Sequence, residues 1–158
     1  MTTSHAQHAH RASGASLTRL AVSATLHCLT GCAIGEVLGM VLGTWWGWSN
    51  GATTALATVL AFLFGYSLTV WPVLRSGVAL RRAITVALAA DTVSILVMEI
   101  VDNAIILAIP GALEAGLTSL LFWGSLAFSL VAAFVLTVPV NRVMIARGRG
   151  HAVVHQYH

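Results

Sequence analysis

Charge is what this sequence lacks. Only 8% of its 158 residues are Asp, Glu, Lys or Arg, against about a quarter in a soluble domain. Lysine is absent, so all eight basic residues are arginine, and only five residues are acidic. With 58% hydrophobic residues and a mean hydropathy of +0.87, the composition excludes an ordinary soluble domain and is that of a membrane protein. The net charge of +3 is small, and no basic patch stands beside stacking aromatics, which argues against a nucleic-acid partner. Cysteine is scarce too. Cys28 and Cys32 lie one helical turn apart, a poor geometry for a disulfide, and both read as thiols. No nucleophile–base arrangement, nucleotide-binding loop or HExxH is present, so the chain is not expected to be an enzyme. The opening "MTTSHAQHAHRASGASLTR" lacks the basic start and short apolar core of a signal peptide. The apolar run after it is expected to remain as a spanning helix.

A helix needs roughly 20 residues to cross a bilayer, and four segments reach that length: about 20–46, 52–74, 82–109 and 113–141. Breakers separate them at "WWGWSNG" (45–51), "RSG" (75–77) and "IPG" (109–111), the first holding an interfacial cluster of Trp45, Trp46 and Trp48. Arg11 and Arg19 precede the first helix. Arg75, Arg81 and Arg82 flank the second link, and Arg142, Arg147 and Arg149 follow the last helix. The other two links hold no basic residue. By the positive-inside rule both termini are expected in the cytoplasm and the protein in the inner (cytoplasmic) membrane. The expected fold is all-α: an integral membrane four-helix bundle (19–146) between a flexible His-containing tail (1–18) and a second His-containing tail (147–158).

An internal repeat refines this. "SLTVWPVLR" (67–75) and "VLTVPVNR" (135–142) align as LTV-PV-x-R once Trp71 is removed. Arg19 matches Arg82 at an offset of 63, and the same offset pairs Glu36-Val37-Leu38 with Glu99-Ile100-Val101. Two helical hairpins in parallel repeat are expected, related by an axis along the membrane normal, with Pro72 and Pro139 as equivalent kinks.

The repeat matches depths. Glu36 and Glu99 each stand 17 residues beyond the arginine at the start of their helix, about 25 Å along at 1.5 Å per residue. Asp102 and Asn103 follow just beyond Glu99, and Asp91 shares the depth of Cys28. Cys28, Cys32, Glu36 and Met40 recur every four residues, one stripe winding by about 40° per step. On the third helix Asp91, Met98 and Asp102 share a face, flanked by Ser94 and Glu99. Ionisable groups in spanning helices usually face the bundle interior or water and mark ion paths. Glu36, Glu99, Asp102, Asn103 and Asp91 are therefore the candidate intramembrane ion site; a purely structural polar network is the alternative. Glu114 is expected at the start of the fourth helix, where the dipole favours it. Gly31, Gly35, Gly39 and Gly43 form a GxxxG row suited to close helix approach, interleaved with the Cys–Glu–Met stripe. Homo-oligomerisation is expected, with this row as a candidate contact.

Cys28, Cys32, Met40 and Met98 are soft donors suited to thiophilic metals, and His27 suits many transition metals. Buried cysteines also serve as small hydrophobes, and a lone histidine as a helix contact. His5, His8 and His10 near one end, with His151, His155 and His158 at the other, add ligands for weak metal binding, or form pH-titrating tails.

"HCLTGCAIGEVLGM" (27–40), "EIVDN" (99–103) and "PVNRVMIARGRGHAVVHQYH" (139–158) resemble a bacterial and archaeal membrane family called domain of unknown function 4396. The resemblance runs from the first helix to the end of the chain. It implies a small multi-pass protein and no established activity. His27, Cys28, Cys32, Glu36, Glu99, Asp102, Asn103, His151 and His155 fall within the resembling blocks, and "HAQHAH" lies outside them.

The expected role is binding or moving a cation through the intramembrane site, a transition metal such as copper being favoured, with the histidines collecting or releasing it. The alternatives are a structural or assembly subunit without transport, and a proton-linked carrier of a small solute. The partners expected are the lipid bilayer, further copies of the chain, and a metal ion or proton.

Overall fold

A computed structural model describes the backbone of residues 3–147 and the side chains of residues 14–147. Four helices make up the chain: α1 (Thr3–Trp45), α2 (Asn50–Arg75), α3 (Leu80–Ala108) and α4 (Leu120–Ala146). Each contains a stretch long and apolar enough to cross a membrane, and the chain is a multi-pass, all-α membrane protein.

The ends follow local chemistry. α1 stops where Gly47 takes a left-handed φ of 68°, a conformation glycine adopts without a Cβ penalty. Ser49 then caps α2 by accepting from the Ala52 amide at 3.4 Å. α2 ends at Ser76 and left-handed Gly77, and α3 ends before Pro110.

Two boundaries differ from the sequence reading. The α1 backbone begins at Thr3 rather than near residue 20. Gly14 is the poorest helix former in that opening, and its alanines favour helix. The α4 helix begins at Leu120 rather than 113, because Ser119 accepts from the Leu121 amide at 3.1 Å as its N-cap. Residues 109–119 are instead a run of turns, pinned where the Trp123 indole donates to the Leu117 carbonyl at 2.8 Å. Glu114 therefore lies in this linker and not at a helix N-terminus.

α1 packs most extensively on α2, and α3 on α4; α1 also meets α4, and α2 meets α3. α1 and α3 touch across the middle, so the two helices carrying acidic residues share the centre. The α1–α2 seam is built from the glycine row. A methyl at Gly31 would fall 2.5 Å from the Gly65 Cα, and one at Gly35 or Gly39 would fall on the backbone of Ala61 or Ala57. Gly43 meets the Thr53 side chain in the same way. This overturns the glycine row as a contact between copies: α2 of the same chain occupies it. Because Cys28, Cys32 and Glu36 lie beside that row, they turn toward α3. Outward, large apolar side chains such as Leu63, Phe128 and Val131 are exposed, the surface a hydrocarbon solvent requires.

Candidate functional site

Along the α1–α3 contact the polar residues stack in layers. Uppermost are Glu36 from α1 and Glu99 and Asp102 from α3, only 5%, 4% and 6% exposed. Glu36 and Glu99 stand side by side, with Asp102 in electrostatic reach of both. Asp102 accepts from the Ser129 hydroxyl of α4, and Glu99 also faces Thr58 of α2 and Cys32. One oxygen of Glu36 and both of Glu99 are buried without a well-formed hydrogen bond from the described residues; the groups nearest Glu99 are Glu36 itself, the Thr58 hydroxyl and the Cys32 thiol. Such groups are costly in an apolar interior, the more so where no arginine lies near: all eight stand toward the chain ends or flank the second link.

These carboxylates floor a cavity of about 280 Å³. Its walls include Met40, Asn103 and Thr58, and its rim is formed by Trp48, Asn50 and the 112–117 linker. The cavity thus opens toward the two links without basic residues. Glu114, exposed, stands on that rim, so four of the five acidic side chains line one funnel. Sequence reading missed Glu114 by placing it on a helix; its clue was the scarcity of acids, which gave a lone linker glutamate weight. Asn103 wets the wall while its amide donates to the Glu99 carbonyl at 2.9 Å.

Beneath the carboxylates is a dry layer. Cys28, Cys32, Ile95 and Met98 pack with Ala61 and Ala133. Below it the Cys28 thiol donates to Asp91 Oδ1 at 3.6 Å, with Thr69 of α2 beside the carboxylate. A second network joins three helices: Ser94 donates to the Asn141 Oδ1, and the Asn141 amide donates to the Thr25 hydroxyl at 2.9 Å. Ser94 flanks the acidic face of α3 in the sequence, but Thr25, Ser129 and Asn141 went unmarked, because hydroxyls and amides there look like any helix polarity until a partner is seen.

The soft donors do not assemble. Among the described residues no three His, Cys, Asp or Glu side chains converge as a metal-ligand set. Cys28 is bonded to Asp91, Met98 is packed in the dry layer, and Met40 is on the cavity wall. His27 points to α2, where its ring hydrogen-bonds the Leu68 backbone. That carbonyl has lost its own helical donor, because Pro72 four residues on has no N–H. The histidine reads as helix glue. His151, His155 and His158, like His5, His8 and His10, lie outside the described side chains.

A family model described as domain of unknown function DUF4396 matches residues 18–150. The chain belongs to the DUF4396 family. The match takes in α1 from residue 18 onward, the other three helices and every layer of this site. No curated protein and no solved structure is significantly similar to this DUF4396 chain.

Proposed function

We propose that this DUF4396 protein binds a small cation, the proton foremost, at Glu36, Glu99 and Asp102 and passes it across the membrane. The observation that carries the reading is the set of three buried carboxyl groups, packed within electrostatic reach of one another, at the floor of an acidic funnel. Three buried carboxylates at the floor of one cavity, without an arginine nearby, need positive charge to offset their desolvation. A proton or a hydrated cation supplies it. The rim glutamate adds to the field that draws cations inward. A transition metal such as copper, which the thiols and histidines favour in the sequence, has no assembled ligand set among the described residues. It ranks below the proton here.

The layers supply the rest of a route. Cys32 lies beside Glu99, and Cys28 bonds to Asp91 below. The pairs Cys28–Asp91 and Glu36–Glu99 both span 63 residues, the offset of the sequence repeat. A two-fold axis between α1 and α3 brings equivalent residues face to face in that way, which supports two parallel hairpins. With both termini in the cytoplasm of an inner-membrane protein, as the arginines favour, the funnel opens outward and Asp91 is the inner station.

Proteoliposomes carrying a pH gradient and an entrapped pH dye test this. Wild type is expected to dissipate the gradient faster than empty liposomes, and Glu36→Gln/Glu99→Gln to fall to the empty-liposome rate while still folded by circular dichroism. Equal rates for wild type and empty liposomes, with any cation on the opposite side, would leave the structural-subunit reading in its place.

A further inference from the structure

A second recess, of about 380 Å³, lies between α2 and α3 on the outer surface, at the end away from the funnel. Its walls are apolar: Leu63, Val70, Trp71, Leu74, Ile84 and Leu88. The two polar residues that line it turn their hydroxyls elsewhere. Ser67 donates to the Leu63 carbonyl at 2.6 Å, and Tyr66 shares a hydrogen bond with Thr92 at 3.0 Å. From Leu63 to Leu74 the recess covers eleven residues, about 16 Å of helix, or about one leaflet of a hydrocarbon core roughly 30 Å thick.

The end of this groove is basic. Arg75 and Arg81 are exposed there, with Arg82 next in the chain, and none of the five acidic residues lies in the link between α2 and α3. Trp71, 61% exposed, forms the groove wall, and the Arg75 guanidinium lies over its ring at 4.9 Å from the centroid. That stacking holds the guanidinium beside the open end of an apolar slot. Trp71 is also the one residue that the α2 repeat has and the α4 repeat lacks, so the slot is particular to this seam.

We propose that the α2–α3 groove binds one anionic phospholipid from the leaflet on the arginine side. An acyl chain fills the slot between Leu63 and Leu74, and Arg75 and Arg81 hold the phosphate. Arginine suits that role because its planar fork matches phosphate oxygens.

Native mass spectrometry from mixed phosphatidylglycerol and phosphatidylcholine nanodiscs tests it. Wild type is expected to retain one phosphatidylglycerol in preference to phosphatidylcholine. Arg75→Gln/Arg81→Gln should lower that preference about 25-fold, at about fivefold per arginine near a headgroup. Ser67→Trp, placed on an exposed position, should block the slot and reduce retention of both lipids, with Val70→Phe as a second filler. Arg142→Gln/Arg147→Gln, at the end of α4, should leave the preference in place. The proposal is overturned by the absence of preference in wild type, or by equal loss in the α4 pair. Undiminished retention in both filled variants would overturn it too, as would a dimer that Ser67→Trp dissociates in place of a bound lipid. Thermal unfolding of each variant separates lost binding from lost fold.

Discussion

His27 stands next to Cys28 in sequence yet turns to another helix. A proline at position 72 leaves the Leu68 carbonyl without its helical donor, and in hydrocarbon such a group must find a partner within the protein. The His27 ring supplies it. His27→Ala should therefore cost about 1 kcal/mol, the size of an interhelical hydrogen bond in a bilayer. Pro72→Ala restores the amide donor to α2, so the same histidine change should cost close to nothing on that background. A double-mutant cycle of denaturant unfolding in detergent measures the coupling; equal costs on both backgrounds would show that the ring serves something else. The thiols make a parallel case. Cys28 and Cys32 are fully buried, and a membrane-impermeant alkylating reagent is expected to leave both unmodified in the folded protein.

At the scale of the helix, α1 carries two neighbouring stripes with different partners. The glycine row receives α2 at backbone distance, and the Cys–Glu stripe meets α3. Gly35→Leu would drive a side chain onto the Ala61 backbone, and overpacking of this kind costs about 1–3 kcal/mol or more. A Cβ at Gly124 would meet nothing within 4 Å, and Gly124→Leu, on an exposed position, should leave thermal stability unchanged in the same assay. Because the two stripes are joined through α1, Gly35→Leu should also lower gradient dissipation without touching a carboxylate. Spacing alone made both stripes legible, as it did the shared depth of Glu36 and Glu99: a helix fixes face and rise from residue number. It does not name the neighbour, and the partner of the glycines came only from the fold. α4 was the least legible element, since it is apolar on every side and nothing in its periodicity distinguishes Ser129 or Asn141. The start of α4 was misread for a related reason. Residues 113–119, Leu-Glu-Ala-Gly-Leu-Thr-Ser, hold no proline and run straight into the apolar stretch, and a single serine cap decides where the helix begins.

For the whole molecule the issue is which side reaches the carboxylates. The funnel is built from all four helices of one chain, and its rim is the 46–49 and 109–119 links, so no second copy is needed to complete it. Glu36 lies nine residues before Trp45, about 14 Å of helix below the rim. The dry layer of Cys32, Ile95 and Met98 closes the floor, and the Thr25–Asn141–Ser94 network ties α1, α4 and α3 together on the arginine side. Cysteine scanning on a Cys28→Ser/Cys32→Ser background turns this into a direct measurement. Met40→Cys on the cavity wall and Asn50→Cys on its rim are expected to react with a small charged thiol reagent added to the outside of intact cells. Ile95→Cys is expected to stay unreactive from either side. Reaction of Met40→Cys only in inverted vesicles would reverse the topology, and the positive-inside reading with it. Reaction of Ile95→Cys would show that water crosses the layer, making the protein an open pore. Protection of Met40→Cys at low pH, lost on adding Glu36→Gln/Glu99→Gln, would link closure of the funnel to the protons held at its floor.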